Sequence, residues 1–148
     1  LKAGTAKRDA SRPKMDIQAG GILAIDESLT GEDQQKVLDF ARPSTALYVG
    51  GMGARGKNFY NDICKAYGFE QEAVEIQDLY LDGKKQEAAA KIPADWLLNS
   101  HLVGPKSFIK ERLAAYKEAG VTVLQVNPIG PDAVKQVELL RSLMDDVR

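Results

Sequence analysis

The chain has 148 residues, 44% of them hydrophobic and 28% charged, and its formal net charge at pH 7 is −1. This composition is typical of one globular domain with a buried core. The small net charge and the scattered basic residues exclude a strong positive field, and no apolar run has the length of a membrane span. We therefore expect neither nucleic acid nor a membrane as a partner.

The first predicted strand covers residues 16–25, a nearly continuous apolar run interrupted by Gly20 and Gly21. Such a run is typical of a parallel strand that is covered on both faces. A helix is predicted over residues 31–41, where Thr30 followed by Asp33 resembles a capping box. Residues 44–50 are predicted to be helical after Pro43.

Helices are next predicted over residues 57–67, 70–81, 84–92 and 94–102, because apolar residues recur at helical spacing and Gly or Pro marks several of the ends. Gly104 and Pro105 precede another helix over residues 106–119. A strand over residues 121–126 follows directly, and Pro131 opens a final helix that extends to residue 147. This α–β–α unit is typical of parallel sheets and barrels.

The sequence predicts only about two strands, and both have the pattern of strands buried on two faces. A sheet normally contains about four to six strands. The chain therefore resembles part of a larger α/β domain, or one whose sheet edges pair with another copy. We treat residues 1–148 as a single segment with a strand–helix part (14–42), a helical excursion (43–103) and a helix–strand–helix part (104–148).

The single cysteine and the first residues of the chain each support a further expectation. Cys64 is the only cysteine, so an internal disulfide is impossible, and its predicted helix face indicates a buried thiol. This agrees with a reducing, cytoplasmic location. Residues 1–6 resemble the end of a helix and lack an initial methionine, so we expect either that residues were removed or that the chain belongs to a longer protein.

Glycine-rich residues 48–62, between two predicted helices, are the most distinctive stretch. Arg55, Lys57 and Asn58 stand at the start of the following helix, where free N–H groups and the helix dipole favour anions. They are candidate contacts to a substrate or to the tail of a cofactor. The alternative, favoured by the pattern alone, is a tight corner between helices with solvated cations. Tyr48 and its aromatic neighbours either stack on a ring system or belong to the core.

Three further positions are candidates for chemistry. Asp26, Glu27 and Ser28 follow the first predicted strand, where α/β enzymes place reacting groups, although a polar turn explains them equally. His101 is the only histidine, which excludes a paired-histidine metal site and leaves either a substrate contact or a structural residue. Asn127 either faces a ligand or forms an ordinary turn before Pro128. No catalytic residue is identified.

Residues 21–28, GILAIDES, resemble the G-I-L-A-x-D-E-S segment of class I fructose-bisphosphate aldolases. The resemblance implies a lyase that uses Asp26. That family requires a Schiff-base lysine on a later barrel strand, and neither predicted strand contains one.

A second resemblance covers most of the chain. Its blocks are ALYVGGMGARGKNFYND (46–62), AVEIQDLYLDG (73–83), LVGP (102–105), RLAAY (112–116) and AGVT (119–122). In this order they resemble the C-terminal half of luciferase-like flavin or deazaflavin oxidoreductases, in the branch that uses coenzyme F420. Several blocks in the right order are more specific than any single motif.

This resemblance implies a (β/α)8 TIM barrel, of which the chain supplies the last two strands, their helices and the excursion between them. It also implies hydride transfer with F420, or alternatively FMN, held mainly by an N-terminal part that is missing here. Arg55, Lys57 and Asn58 are the cofactor contacts that the chain can offer. Alone, the chain is expected to be inactive.

The resemblance further implies a small-molecule substrate and, as partner, either a second copy of the chain or the missing N-terminal half. An alternative of another class is a helical interaction module without catalysis, which dimerises through its unpaired strand edges.

Overall fold

The computed structural model describes residues 2–147, apart from the side chains of Lys2 and Ala3. Leu1, the start of the helix expected over residues 1–6, lies outside the described residues. Among those residues, no helix combines the length and the apolar character that crossing a membrane requires.

Helices and parallel strands alternate along the chain. The helices are α1 (Lys2–Thr5), α2 (Gly31–Leu38), α3 (Arg42–Ala46), α4 (Phe59–Ala66), α5 (Glu70–Leu81), α6 (Lys85–Ala90), α7 (Ala94–Ser100), α8 (Lys106–Glu118) and α9 (Ala133–Asp146). The strands are β1 (Gln18–Ile25), β2 (Leu102–Gly104) and β3 (Val123–Pro128). A 3-10 turn (Asp39–Ala41) follows α2, and a π-helical turn (Leu47–Gly51) follows α3.

Strand β1 lies at the centre of the sheet and pairs in parallel with both other strands, in the order β2–β1–β3. Leu23 is level with Leu102 of β2, and Gln18 is level with Val123 of β3. The α/β class and the parallel pairing are confirmed. The expectation of about two strands is wrong, because the described residues contain three. The missed strand, β2, has only three residues, too few to show a period of two.

The prediction that both strands are buried on two faces holds only near the end of β1. Its last three residues are buried, whereas β3 alternates between exposed and half-buried positions. Strand β3 lies at the edge of the sheet, where Leu124 and Val126 pack against the helices and Gln125 faces solvent. Apolar sequence alone did not reveal that this strand lacks cover on its second face.

Each face of the sheet contributes to its own hydrophobic core. On one face, Leu23 and Ile25 pack with residues of α8 and α9, including Ile109 and Leu140. On the other face, Ala24 packs with the helical excursion α2–α7. Complete burial of a leucine or isoleucine side chain contributes roughly 1.5–3 kcal/mol to folding. The sheet is therefore held between two helical layers, with its end at Ile25 the best packed part.

The strand order differs from that of three consecutive strands in a (β/α)8 barrel, in which each strand is followed by a helix and lies next to its successor. Here β3 pairs with β1 instead of β2. The excursion α2–α7 packs on one face, whereas α8 packs on the opposite face. This arrangement gives the sheet a topological switch point between β1 and β3.

The predicted capping box at α2 is wrong. Thr30 occupies the N-cap position with an extended backbone, but its side chain makes no capping hydrogen bond. Asp33 instead pairs with Lys36 at 2.7 Å on the exposed surface of the helix. The other predicted helices agree with the structure within a few residues, except that residues 101 and 102 do not continue α7.

Candidate functional site

The glycine-rich corner, which we define as residues 48–58, connects the π-helical turn to α4. Its glycines make room for close packing. A Cβ atom at Gly50 would lie 2.5 Å from the Cβ of Tyr80, and one at Gly51 would lie 2.4 Å from the Cε1 of the same tyrosine. A Cβ at Gly53 would lie 2.4 Å from the carbonyl oxygen of Lys57. The high glycine content thus has a packing explanation at these positions.

Asn58 begins α4 and is 1% exposed. Its Oδ1 accepts hydrogen bonds from the backbone N–H groups of Tyr60 at 3.0 Å and Asn61 at 3.3 Å. Its Nδ2 donates to the carbonyl oxygens of Tyr48 at 3.0 Å and Val49 at 2.9 Å. The structure therefore places this predicted contact residue inside the corner, where it caps a helix and joins two turns.

Two buried amides that the sequence interpretation missed support the same corner. Asn61 donates to the carbonyl oxygens of Val49 at 3.1 Å and Ala73 at 2.6 Å, and Gln77 donates to that of Gly53 at 3.3 Å. The bonds to Val49 and Gly53 serve carbonyl groups of the irregular backbone, and the bond to Ala73 ties α4 to α5. The available signal was the position of Asn61 and Gln77 among the apolar residues of α4 and α5.

Arg55 and Lys57 lie on the surface of the corner. The Nε of Arg55 contacts Asp78 Oδ1 at 2.6 Å, and both side chains are at least half exposed. Among residues 2–147, the terminal guanidinium nitrogens of Arg55 and the ammonium of Lys57 have no hydrogen-bond or ion-pair partner. Of the three predicted contact residues, these two are the ones whose charged groups face solvent.

Three aromatic rings in and next to the corner are exposed. Tyr48 and Tyr60 are 44% and 40% exposed, and Phe59 is 70% exposed. The rings of Tyr48 and Tyr60 meet edge to face with their centroids 4.8 Å apart, and those of Phe59 and Tyr60 are 5.7 Å apart. The interpretation of these three rings as core residues is wrong, because Tyr48 of the π-helical turn and both aromatic residues of α4 are exposed.

The turn after β1 forms a second candidate region. Asp26 Oδ1 accepts hydrogen bonds from Ser28 Oγ at 2.6 Å and from Ser28 N–H at 2.9 Å. These bonds, the hydroxyl first, hold the pKa of the Asp26 carboxyl below its ordinary value. A carboxylate that stays ionised in solvent is a poor general acid or base near neutral pH. The geometry is that of a polar turn.

Polar side chains form hydrogen bonds with backbone groups at or just beyond the carboxyl ends of β1 and β2. Gln136 of α9 accepts from the Ile25 N–H at 2.7 Å and donates to the Ile25 carbonyl at 3.2 Å. Gln34 of α2 donates to the carbonyl of Val103 at 2.8 Å, and Glu27 accepts from the Lys106 N–H at the start of α8 at 3.4 Å. The last residue of β1, next to the switch point, is thus bound by Gln136, a residue that the sequence interpretation did not identify.

The other candidates lie apart from the corner. His101 accepts a hydrogen bond from the Ile22 N–H at 3.1 Å, and burial lowers its pKa. Asn127 is exposed on β3, on the same face as Gln125, which bonds the side chain of Gln18. Among the described residues, no hydrogen bond or ion pair joins these positions to Arg55 or Lys57.

The remaining candidate nucleophile is unreactive. Cys64 is buried, as the sequence predicted, and its pKa is raised to about 11, first by burial and then by the charge of Glu72. A thiol with such a pKa is protonated at neutral pH, and the thiol is a weak nucleophile. Asp26, Cys64 and His101 therefore do not form an acid–base or nucleophilic set in the described part of the chain.

Fold and site together define an α/β protein with a parallel sheet and a glycine-rich corner with exposed cations and aromatic rings. The family model for luciferase-like monooxygenases matches residues 1–123. The chain belongs to this luciferase-like family, as the ordered sequence blocks predicted.

A relative from Mycobacterium tuberculosis (strain ATCC 25618 / H37Rv), described as a putative coenzyme F420-dependent oxidoreductase, is 30% identical over 140 residues. The alignment covers 95% of this chain and 40% of the relative, so the chain spans less than half the length of that protein. No solved structure matches the chain.

Proposed function

We propose that the chain is the C-terminal portion of a luciferase-like oxidoreductase that transfers a hydride with coenzyme F420. The observation that carries the proposal is the 30% identity to a relative described as F420-dependent. Family membership alone supports oxidoreductase or monooxygenase activity and leaves FMN as the alternative cofactor. A small-molecule substrate and a cytoplasmic location, which the buried free thiol of Cys64 favours, belong to the same proposal.

The side chains support a division of labour between the cofactor and the protein. A bound deazaflavin or flavin supplies the two-electron chemistry, and the protein binds and orients it. Here His101 is engaged with Ile22, the Cys64 thiol is protonated, and Asp26 is an exposed carboxylate. None of these is placed for proton transfer. The catalytic groups are therefore proposed to lie in an N-terminal part, and the 148-residue chain alone is proposed to be inactive.

The glycine-rich corner is proposed to contact the phosphate-bearing tail of such a cofactor. Arg55 has terminal nitrogens available for an anion while Asp78 fixes its Nε, and Lys57 adds a second positive charge two residues further. Asn58 is proposed to act indirectly, because its own polar atoms are occupied by the corner. Charge-assisted hydrogen bonds to an anion are stronger than neutral ones.

The test uses the intact parent protein and two cofactors, F420 and FMN. Loss of one charge-assisted bond costs roughly 1.5–3 kcal/mol, so Arg55→Ala and Lys57→Ala are each expected to weaken F420 binding about tenfold or more. Lys36→Ala is the matched control, since it removes an exposed cation from α2. Fluorescence titration measures the dissociation constants, and F420 is expected to bind more tightly than FMN.

Two results would contradict the proposal. Unchanged F420 affinity in both variants would exclude the corner as the tail site. Turnover of reduced F420 with substrate by the 148-residue chain alone would exclude an essential N-terminal part. Tighter binding of FMN would make FMN, and not F420, the proposed cofactor, and the family membership would stand.

A second candidate, an interaction module, is favoured by exposed aromatic residues in the 3-10 turn and at both ends of α4. Phe40 and Tyr67 are each 71% exposed, and Phe59 is 70% exposed. Side chains of this size are usually covered in the assembled protein when they cluster. Light scattering across a range of concentrations distinguishes a self-associating chain from a monomer that associates only with the N-terminal part.

The aldolase interpretation is not proposed. A Schiff-base enzyme needs a lysine on a barrel strand, and β1, β2 and β3, the strands within residues 2–147, contain none. Family membership explains the same residues without it.

A further inference from the structure

His101 joins the start of β2 to β1 through its side chain. Backbone pairing between these strands begins with Leu23 opposite Leu102. One residue earlier, Nδ1 of His101 accepts a hydrogen bond from the Ile22 N–H at 3.1 Å. The imidazole thus supplies one additional rung to the parallel ladder, at the point where α7 ends and the chain enters the sheet.

The ring lies where only glycine leaves room for it. A Cβ atom at position 21 would be 2.2 Å from His101 Nδ1 and 2.8 Å from the carbonyl oxygen of Ser100. Any side chain larger than that of Gly21 would displace either the ring or the backbone of α7. Gly21 and His101 therefore form a steric pair, which accounts for one of the two glycines that interrupt the apolar run of β1.

The hydrogen bond fixes the protonation state of the ring. Because Nδ1 accepts, the neutral ring carries its proton on Nε2. That atom is buried and has no hydrogen-bond partner among the described residues. Protonation would place a second donor on Nδ1, directly facing the Ile22 N–H, so the rung can exist only with the neutral ring.

Charged groups near His101 do little to change the preference of its ring for the neutral form. Strands β1 and β2 contain no charged residue, α7 carries Asp95 in its first turn, and Arg112 of α8 donates to Asn99 rather than to the ring. Burial is the cause that lowers the pKa of His101. The folded structure therefore disfavours the protonated ring for two reasons: the charge would be desolvated, and Nδ1 could no longer accept the hydrogen bond from the Ile22 N–H.

We propose that His101 is a pH-sensitive latch, which holds the start of β2 against β1 while its ring is neutral and releases it when the ring is protonated. The sign follows from linkage. A pKa lowered by folding stabilises the latched form above the ordinary value of about 6.5, and this contribution is lost as the pH falls from about 6.5 toward the lower folded pKa. The proposal does not depend on the proposed redox activity.

The test is an NMR titration of the 148-residue chain. His101 is the only histidine, so its ring signals need no separation from others. The ring is expected to titrate below about 6.5. Over the same interval the protection factor of the Ile22 amide is expected to fall by about tenfold per pH unit. The amide of Ala73, buried in α5, reports global unfolding and is expected to keep its protection.

Two variants separate the latch from a merely structural histidine. His101→Asn retains an acceptor near the Nδ1 position and cannot titrate, so Ile22 should stay protected at every pH tested. Gly21→Ala should displace the ring, return its pKa toward about 6.5 and expose Ile22 at every pH.

Three results would overturn the proposal. They are Ile22 protection that does not change while the ring titrates, a ring that titrates at or above its ordinary pKa, and an unchanged pH dependence in His101→Asn.

Discussion

Asn58 determines the structure of the glycine-rich corner at the scale of single residues. One side chain caps α4 and satisfies two carbonyl groups of the preceding turn. The neighbouring Lys57 is exposed, although both residues belong to the same predicted contact set. We therefore expect Asn58 to determine stability and the adjacent Lys57 to contribute to the proposed ligand binding.

We expect Asn58→Ala to lower the free energy of unfolding by about 2–4 kcal/mol, because it removes a cap and leaves buried carbonyls without donors. Asn58→Asp keeps the capping acceptor and loses the donor, so it should also destabilise. Lys57→Ala should change stability by no more than about 0.5 kcal/mol. Urea denaturation measures all three. Equal effects of Asn58→Ala and Lys57→Ala would contradict this division.

At the scale of elements, the corner depends on the contact between the π-helical turn and α5. Gly50 and Gly51 lie against Tyr80 so closely that a Cβ atom on either would overlap the tyrosine side chain. The sequence interpretation of a tight corner between helices is supported by this geometry. It does not compete with the proposed ligand binding, because Arg55 and Lys57 are exposed and, among the described residues, Asp78 is their only side-chain partner.

Gly51→Ala is expected to destabilise the chain by about 1–3 kcal/mol, since the new methyl group would overlap the ring of Tyr80. In a Tyr80→Ala background the overlapping ring atoms are absent, and the same substitution should cost little. A double-mutant cycle from thermal or urea unfolding gives this coupling. Additive effects of the two substitutions would show that the contact does not explain the glycine.

At the scale of the whole molecule, the strand order differs from that of the (β/α)8 barrel that the sequence resemblance implies. In the described chain β3 lies beside β1, whereas barrel order places β3 beside β2. The half-exposed β3 has little cover on one face, so fewer buried contacts oppose its displacement than oppose that of β1 or β2. We propose that β3 changes neighbours when the N-terminal part is present.

Engineered cysteines test this proposal. Gln18 and Val123 are level in the parallel pair, and neighbouring strands lie about 4.8 Å apart, within the range of a disulfide. Gln18→Cys with Val123→Cys should cross-link in the 148-residue chain under mild oxidation. In the intact parent the link should not form. The buried Cys64, with a pKa of about 11, should not compete.

Single-cysteine variants control for links between molecules, which mass spectrometry identifies. A cross-link of equal yield in the chain and in the parent would mean that the order β2–β1–β3 persists and that β3 does not change neighbours.

The sequence by itself determined the features that depend on local pattern. A nearly continuous apolar run predicted β1, and apolar periodicity with glycine and proline at the boundaries predicted the long helices α5, α8 and α9, all within a few residues. Ordered blocks of residues predicted the luciferase-like family, which the family model confirms. These signals lie within short stretches of chain, so they can be read without knowledge of distant contacts.

Only the tertiary structure decided which residues meet across long separations. Strand β2 is too short for a periodic signal and is a strand only because β1 pairs with it. The rung from His101 to Ile22 joins residues 79 positions apart, and the clamp of Gln136 on Ile25 joins residues 111 apart. Burial is likewise a property of the assembled layers, which is why Asn58 became an internal cap while Lys57 remained in solvent.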